Sequence, residues 1–585
     1  MGTISDKLMR IINTKEDIRQ ALISKGYDVP TSIPFKEYAK MILDLPCKVD
    51  SFPDIEGIVA RYSASGLTNE QMAANPVWVD KTGNGHDIQL KNFSWKGMSG
   101  VGGYEMNFNL WRNNVSSIPD ISMSTTTTSV SVSVGNSTYN NNLIYIHISN
   151  WDINKNHWLK VTSTYEDGDL AFIFYNDSNT KKIGLPANGY VNILAYPEFK
   201  GSYMYISTIS NKQGSFTIEQ LPLYPGALVF DGVDDCGVCD NFPILTKEKG
   251  YTVVVLRQWI EEKNDSTALV SNCKNWGQNG AFLFEYNNLR INFLNVAISF
   301  GNVSSVDRGK SSFSYQTSKL YNGKNIEPGS FIGSNELVVG KGNKDFPTAS
   351  KVAIWELVFL DHDATEEELT KIKNYFVKTY PWLFFDQAWT VTGKTNEDED
   401  RATIANITGN GNDLVLSNFG FAEGSGYNEE GEYAGYLVTD GVDDKIISSI
   451  FKMGNDWTVI GDWELINTGK NDNAGIVKFD SIAIYNYNYN YNSMLINIKN
   501  GRNILIPDQN TVNAICSDGR IYSKDWKESI YNEETESTSK NFLTIGYSGN
   551  AYTKIAFKNL AIYPTVLSRE DCIKAYNYLQ TLKAK

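Results

Sequence analysis

The sequence predicts a mainly β protein with an N-terminal helical segment, two β-sandwich domains that each end in a helix, and a small β-sandwich inserted in the first. The sequence DGVDD occurs at 231–235 and again at 440–444, and each copy follows an apolar run. Gly tolerates positive φ and Asp bonds nearby backbone, so DGVDD is predicted to be a turn between two strands. The first copy also carries roughly one hundred extra residues upstream of this turn, the size of a small domain.

Further matches extend the repeat on both sides of the turn. TNE stands at 68–70 and 395–397, and TGNGHD at 82–87 matches TGNGND at 408–413. Each copy closes with an apolar strand and a helix, which is predicted to begin after Thr365 or after Ser568. A repeat of about two hundred residues suits one sandwich domain. The predicted division is a helical segment at 1–50, a first sandwich at 51–114 and 225–384, an insert at 115–224 and a second sandwich at 385–585.

The first fifty residues show apolar positions at helical spacing, as in short amphipathic helices. Helices of this size cannot bury their apolar faces alone. They are therefore predicted to dock on a partner copy, on another protein or on the first sandwich. The predicted assembly residues are Ile4, Leu8, Ile11, Ile12, Ile18 and Leu22.

The insert contains strand-like runs at fairly regular spacing, which is typical of a small antiparallel β-sandwich. In the first copy, segments 281–286 and 289–294 are predicted to form a hairpin across Asn287 and Asn288. The second copy enlarges this hairpin with alternating Tyr and Asn at 485–492. In an extended strand these tyrosines share one face. They are Tyr485, Tyr487, Tyr489 and Tyr491.

Composition excludes several classes of function. The 585 residues carry a net charge of −14, which argues against a phosphate-binding surface for nucleic acid. No apolar run is long enough to span a bilayer, so no membrane insertion is expected. The N-terminus lacks the basic and then apolar pattern of a secretion signal.

The N-terminal sequence ISDKL at 4–8, with IINTK at 11–15, IRQAL at 18–22 and IPFKEY at 33–38, resembles a segment that heads virion proteins of Bacteroides phages, including crAss-like phages. There it heads fibre and appendage proteins. The resemblance implies a head fibre or another capsid or tail appendage, attached to other virion proteins through the helices. It also implies residence in the virion after synthesis in the bacterial host cytoplasm. Since most such appendages are symmetric, a homo-oligomer is expected.

The sequence FDGVDD at 230–235 resembles a recurrent strand and turn of the concanavalin A-like, laminin-G-like jelly-roll family. The second copy departs from it, with Thr439 in place of Phe230. The resemblance covers nearly all of the chain outside the N-terminal helices and the insert. It implies that each copy has two stacked antiparallel sheets with a helix appended at its end.

This fold serves both lectins and glycosidases, so it does not decide between binding and catalysis. A retaining glucanase needs two neighbouring carboxylates, and the laminarinase-type pattern Glu-x-Asp-x-x-Glu is missing from the sequence. The acidic cluster at 397–400 falls in a predicted loop, where a solvated role is favoured. The chain is therefore predicted not to be an enzyme, with a glycan depolymerase as the remote alternative.

The repeated turns also offer a candidate calcium site. Asp carboxylates at turns provide oxygen ligands for Ca²⁺, but turn formation alone explains them and is the preferred interpretation. No other cofactor is predicted. The residues concerned are Asp231, Asp234, Asp235, Asp440, Asp443 and Asp444.

The Tyr and Asn alternation is the best candidate for glycan binding, because aromatic rings stack on sugars and amides bond hydroxyls. The alternative is that the Tyr face packs on the core or on a neighbouring subunit. The sequence thus predicts a lectin-like appendage that adheres to host-surface or mucin glycans. The runner-up is a purely structural capsid or tail component without a ligand.

Overall fold

The computed structural model describes residues 52–584, apart from short gaps and longer ones at 114–120, 136–145, 148–156, 194–198, 262–267, 273–282, 293–309, 326–333, 467–474, 488–492, 507–511 and 531–539. The chain divides into two units, and all elements given below belong to the second, Ile55–Lys585. The predicted assembly residues at 4–22 and the tyrosines Tyr489 and Tyr491 lie outside the described residues.

The strands are numbered in chain order. Those before the predicted insert are β1 Ile58–Ser63, β2 Val77–Trp78, β3 Ile88–Lys91, β4 Gly100–Val101 and β5 Arg112–Asn113. The next nine are β6 Ile121–Thr125, β7 Ser129–Val134, β8 Ile146–His147, β9 His157–Ser163, β10 Leu170–Asn176, β11 Asn179–Leu185, β12 Asn188–Ile193, β13 Tyr203–Thr208 and β14 Gly214–Gln220. After them come β15 Leu228–Asp231, β16 Cys236–Cys239, β17 Thr252–Trp259, β18 Val270–Ser271, β19 Leu283–Tyr286, β20 Arg290–Asn292, β21 Ser312–Thr317, β22 Leu320–Tyr321, β23 Lys324–Asn325, β24 Leu337–Val339 and β25 Lys351–Leu360.

The second half of the chain continues the numbering. Its strands are β26 Gln387–Thr390, β27 Thr403–Ile404, β28 Leu414–Ser417, β29 Gly426–Asn428, β30 Tyr436–Val438, β31 Lys445–Ser448, β32 Phe451–Lys452, β33 Thr458–Leu465, β34 Gly475–Phe479, β35 Ile482–Tyr487, β36 Ser493–Ile498, β37 Arg502–Ile506, β38 Val512–Cys516, β39 Arg520–Ser523, β40 Glu528–Ile530, β41 Lys540–Asn541, β42 Thr544–Ile545, β43 Tyr547–Ser548, β44 Ala551–Tyr552 and β45 Ile555–Tyr563. The described α-helices are α1 Asn69–Ala74, α2 Glu366–Thr379 and α3 Arg569–Leu579.

Two sheets pack face to face around the first large core. One has the order β23-β22-β21-β17-β25-β15-β4, with β1 also paired to β25, and the other has the order β2-β3-β16-β24-β18-β19-β20. Phe230 and Val255 from one sheet meet Ile88 and Val339 from the other in a single buried cluster. Alternating side chains of stacked sheets fill the space between them in this way. We call this pair of sheets the first sandwich.

Two five-stranded sheets surround a second core. Their orders are β11-β10-β13-β8-β5 and β12-β9-β14-β7-β6. Phe172 and Ile218 lie in the buried cluster between them, and we call this pair the insert sandwich. The same cluster includes Met106, Phe108 and Trp111. Packing of the insert thus begins ahead of residue 115, where the sequence placed its start.

The third core repeats the arrangement of the first. One sheet has the order β29-β30-β45-β33-β38-β39-β40, with β26 also paired to β45, and the other has the order β27-β28-β31-β42-β34-β35-β36-β37. Val459 and Phe557 of one sheet join Ile446 and Ile545 of the other in the buried cluster. We call this pair the second sandwich. The prediction of a mainly β fold with stacked antiparallel sheets is confirmed, whereas the domain boundaries stay predictions.

The helices begin at capped positions, as the sequence predicted for α2 and α3. Thr365 accepts a hydrogen bond from the backbone N–H of Glu368, whose carboxylate accepts one from the backbone N–H of Thr365. The hydroxyl of Ser568 accepts from the backbone N–H of Asp571 at 3.1 Å. These contacts satisfy N–H groups that have no partner within the helix. Among the described residues, no helix combines the length and the apolar character that crossing a bilayer requires.

Helix α3 joins the two large sandwiches. The ring of Tyr578 meets Trp355 of the first sandwich edge-on, with centroids 6.3 Å apart, and stacks on Phe385 at 6.4 Å. The hydroxyl of Tyr578 accepts a hydrogen bond from the backbone N–H of Ser311. On the same side, the ammonium of Lys310 donates to the carbonyl oxygen of Ile407 at 3.0 Å. The two sandwiches therefore share a packed aromatic junction.

Candidate functional site

The first DGVDD turn is closed by its own carboxylates. Asp235 accepts hydrogen bonds from the backbone N–H of Asp231 at 2.9 Å and from the hydroxyl of Ser99 at 3.0 Å. Asp231 in turn accepts from the backbone N–H of Val233 at 2.7 Å. Gly232 has φ of 78°, a conformation that Gly adopts without strain. Burial raises the pKa of the Asp235 carboxyl to about 7.

The second DGVDD turn repeats this network. Asp444 accepts from the backbone N–H of Asp440 at 2.7 Å and from the hydroxyl of Ser425 at 3.1 Å. Asp440 accepts from the backbone N–H of Val442 at 2.7 Å. Burial raises the pKa of the Asp444 carboxyl to about 6. The two turns therefore share these three hydrogen bonds, and Asp440 also accepts from the backbone N–H groups of Asp443 and Asp444.

Calcium binding by these turns can be tested against the same contacts. In each turn the three Asp residues bring carboxylate oxygens within 4.8 Å of one another. Ca²⁺ takes about six to eight oxygen ligands, and several of these oxygens already accept hydrogen bonds from the turn. Asp234 and Asp443 are exposed. The three residues alone do not make up a calcium shell, and calcium binding stays the untested alternative to a role in turn formation alone.

The strand register places Tyr485 and Tyr487, the predicted glycan-binding tyrosines within the described residues, on one face of the second sandwich. Val477 pairs with Ile545 on one side and with Ile484 on the other. Directly paired residues lie on the same face of a sheet, and Ile545 belongs to the buried core. Ile484 therefore lies on the core-facing side. Because successive residues alternate, Tyr485 and Tyr487 lie on the outer face.

Polar residues of β36 and of the edge strand β37 share that outer face. Asn497 pairs with Ala483 and with Asn503, and Ser493 pairs with Tyr487. β37 is the last strand in the sheet order, so this surface lies at the edge of the second sandwich. We call it the tyrosine face: Tyr485, Tyr487, Ser493, Asn497 and Asn503.

A cavity of about 680 Å³ was not marked by any sequence pattern. It lies between the insert sandwich, including the chain segment that leaves it, and the second sandwich. His157 and Gln220 line it from the insert sandwich, and Lys558 and Gln580 line it from the second sandwich. These residues are far apart in sequence, so only the folded chain brings them together. The sequence feature that could have pointed to the cavity is Lys558, a lysine within the apolar strand β45. By itself, a lysine in a strand does not indicate a cavity.

Comparisons with known proteins give no family for this chain. No protein-family model matches it, and no curated protein matches it. The binding domain of botulinum neurotoxin serotype D aligns with 12% identity and a TM-score of 0.23 over 60% of this chain and 89% of that one. The sialidase of Trypanosoma rangeli, in complex with sialic acid, aligns with 8% identity and a TM-score of 0.23 over 81% of this chain and 86% of that one. At these scores the alignments support no conclusion about fold or function.

Proposed function

We propose that the chain is a non-enzymatic adhesion protein of a phage virion, which binds host-surface or mucin glycans through the tyrosine face. The observation that carries this proposal is the strand register, which puts Tyr485 and Tyr487 opposite the core-facing Ile484. This placement favours a binding role over the alternative that these tyrosines fill the core of their own sandwich.

The chemistry of the tyrosine face suits sugars. Tyrosine rings offer flat apolar surface that stacks on the C–H face of a pyranose, and their hydroxyls add hydrogen bonds. Amides such as Asn497 and Asn503 both donate and accept, as sugar hydroxyls do.

Attachment to the virion is the second part of the proposal and rests on the N-terminal resemblance. The helical segment anchors the chain to other virion proteins and holds copies of it together, while the sandwiches carry the binding surfaces. In this scheme the protein is a head fibre or another capsid or tail appendage.

Glycan binding is tested on the full chain with a mucin glycan array. Tyr485→Ala with Tyr487→Ala is expected to weaken binding at least about tenfold, since each stacked ring contributes roughly 1 kcal/mol or more. Tyr175→Ala is the matched control, because Tyr175 is 43% exposed on the insert sandwich. The melting temperature should stay unchanged in both variants. Unfolding of the double variant, or undiminished binding by it, contradicts the assignment, and a wild-type chain that binds no glycan supports a purely structural role.

Assembly is tested by light scattering of the full chain. Replacing Leu8 and Ile11 with Asp should lower an oligomeric mass to that of the monomer, because charge on the apolar face prevents helix docking. Ser5→Asp, on the same segment, is the control and should leave the mass unchanged. A mass that resists the Leu8 and Ile11 changes would assign assembly to the sandwiches.

A further inference from the structure

The cavity beside the second sandwich has the size and walls of a small-ligand site. Its volume of about 680 Å³ falls within the range of roughly 300–1,000 Å³ that ligand pockets occupy. Its walls include the chain around Glu105, the return from the insert at Leu221 to Leu223, and the end of the second sandwich at Gln580 and Lys583.

The charges that line the cavity balance. Glu105 and Glu429 supply two carboxylates, and Lys558 and Lys583 supply two ammonium groups. Since opposite charges are present in equal number, the lining does not favour a strongly charged ligand. Carboxylates accept hydrogen bonds and ammonium groups donate them, so a ligand rich in hydroxyls finds both kinds of partner.

Several polar groups of the wall are held in place by burial and hydrogen bonds. Gln220 is 6% exposed, and its amide oxygen accepts from the backbone N–H of Met106 at 3.0 Å. His157 is 3% exposed, with Nδ1 lying 3.8 Å from a carboxylate oxygen of Glu105. Gln580 donates to Asp462 at 3.1 Å. A wall fixed in this way loses little side-chain entropy when a ligand binds.

The first sandwich carries a different residue at the position that Lys558 occupies in the second. β25 and β45 carry the same β-bulge, and the extra residue is Trp355 in one and Lys558 in the other. Trp355 is buried, donates to the carbonyl oxygen of Pro225 at 2.8 Å and packs on Tyr578. The ammonium of Lys558 instead lies 5.5 Å from the ring centroid of Tyr436 and borders the cavity. β-Bulges commonly re-aim a side chain next to a site.

The geometry points to a second binding site, independent of the tyrosine face, for an uncharged saccharide of one or two rings. The balanced charges, the mixture of donors and acceptors, and the volume fit such a ligand. The apolar ridge of Leu221, Pro222 and Leu223 along one wall offers surface for the C–H side of a sugar ring. We assign Lys558 as the donor and Glu429 as the acceptor of hydrogen bonds to the sugar hydroxyls.

The test is saturation-transfer NMR on the full chain with four neutral disaccharides: lactose, N-acetyllactosamine, maltose and cellobiose. At least one should bind, and Lys558→Ala should weaken its binding by about tenfold, the loss expected for one hydrogen bond to a charged group. Lys445→Ala is the matched control, because the Lys445 ammonium also lies over a ring of the second sandwich, 5.7 Å from the centroid of Tyr552, and does not border the cavity. It should bind as the unaltered chain does.

A second variant keeps the test decisive if Lys558→Ala perturbs folding. Glu429 is exposed, so Glu429→Ala should fold normally and also weaken the disaccharide. Replacing Tyr485 and Tyr487 should leave disaccharide binding unchanged, which separates this site from the one proposed on the tyrosine face. Absence of binding by all four sugars, or binding that survives both Lys558→Ala and Glu429→Ala, overturns the proposal.

Discussion

The serine–aspartate hydrogen bond that closes the repeated turn has nearly the same length in the first and second sandwiches. It is 3.0 Å from Ser99 to Asp235 and 3.1 Å from Ser425 to Asp444. The agreement extends to backbone conformation, since Asn92 and Asn418 have φ of 68° and 69°. The hydrogen bonds that close the turn are thus shared by the two copies, because they fix a backbone shape on which the adjoining strands depend.

The cores of the two sandwiches are filled differently at one matching position. Arg257 in β17 and Trp463 in β33 both follow the β-bulge, and both are buried. Arg257 bonds both carboxylate oxygens of Glu285, at 2.8 and 2.6 Å. Glu285 also accepts from Trp259 at 2.7 Å. A buried ion pair in the first sandwich therefore occupies the place of an indole ring in the second.

Glu285, the ion-pair partner of Arg257, also has a matching residue in the second sandwich. Phe284 pairs with Val270 as Ile484 pairs with Val477, so Glu285 corresponds to Tyr485. Glu285 has φ of 51° and is buried in the core, whereas the regular register leaves Tyr485 on the outer face. The left-handed backbone of Glu285 thus marks the point at which the two strands differ. The two sandwiches thus keep the same turn contacts, whereas the same strand position holds a core residue in one and an outer residue in the other.

The largest effect is expected from Glu285→Ala. It leaves the buried Arg257 guanidinium without its counter-charge, which should lower the free energy of unfolding by about 3–5 kcal/mol. Tyr485→Ala at the corresponding position should cost less than about 1 kcal/mol, since it removes a residue on the outer face. Urea denaturation of both variants measures the difference. Equal losses of stability in the two variants would contradict the assignment of Glu285 to the core and of Tyr485 to the outer face.

A double replacement tests whether an apolar pair can take the place of the Arg257–Glu285 ion pair. Arg257→Met with Glu285→Leu should recover most of the stability lost in Glu285→Ala, because an apolar pair of similar volume avoids the desolvation cost of the charges. Urea denaturation again gives the comparison. If the double variant is no more stable than Glu285→Ala, the uncompensated charge of Arg257 is not the main cause of the loss. The packing and hydrogen bonds of the original pair would then account for its stabilising effect.

The next largest loss of stability is expected in the helices, where Tyr375 of α2 and Tyr578 of α3 occupy matching positions. Tyr578 is fully buried between the two large sandwiches, whereas Tyr375 is half-buried and accepts a hydrogen bond from Arg61 at 2.8 Å. Tyr578→Ala should cost about 3 kcal/mol, as expected for a large aromatic core truncation, and Tyr375→Ala about 1 kcal/mol. Limited proteolysis at the junction should accelerate only in Tyr578→Ala. Similar protection in both variants would mean that α3 does not hold the junction.

The smallest effect is a dependence on pH. Burial raises the pKa of Asp235 to about 7 and that of Asp444 to about 6, against about 4 in an unfolded chain. Above about pH 4 the unfolded state loses its proton first, so stability falls as the pH rises. The fall ends near pH 7 for Asp235 and near pH 6 for Asp444.

Replacing each Asp with Asn should remove the pH dependence of stability that it causes. At pH 8, Asp235→Asn should stabilise the chain by about 1–2 kcal/mol and Asp444→Asn by about 1 kcal/mol, because each removes the cost of a buried charge. Thermal melts between pH 4 and pH 8 give the measurement. A stability difference that does not change with pH would show that neither carboxyl titrates in this range.

The sequence was informative where local chemistry decides the structure. The DGVDD turns, the capping residues Thr365 and Ser568 and the hairpin of β19 with β20 could all be predicted, because turns, caps and alternation depend on neighbours in the chain. The pair of Arg257 with Glu285 could not, since nothing local indicates that a Glu in a strand adopts φ of 51°. The cavity was also missed, because residues more than four hundred positions apart form its walls.

The aromatic junction around Tyr578 has a consequence for how the protein would hold a polymer. Because Tyr578 packs the first sandwich against the second, and the cavity is walled by both the insert and second sandwiches, the tyrosine face and the cavity keep a fixed separation. Two sites at a fixed separation raise each other's effective concentration only for a ligand that spans it. If both sites bind sugars, avidity depends on glycan length and stiffness, so the chain selects polymers by spacing as well as by the sugars they contain.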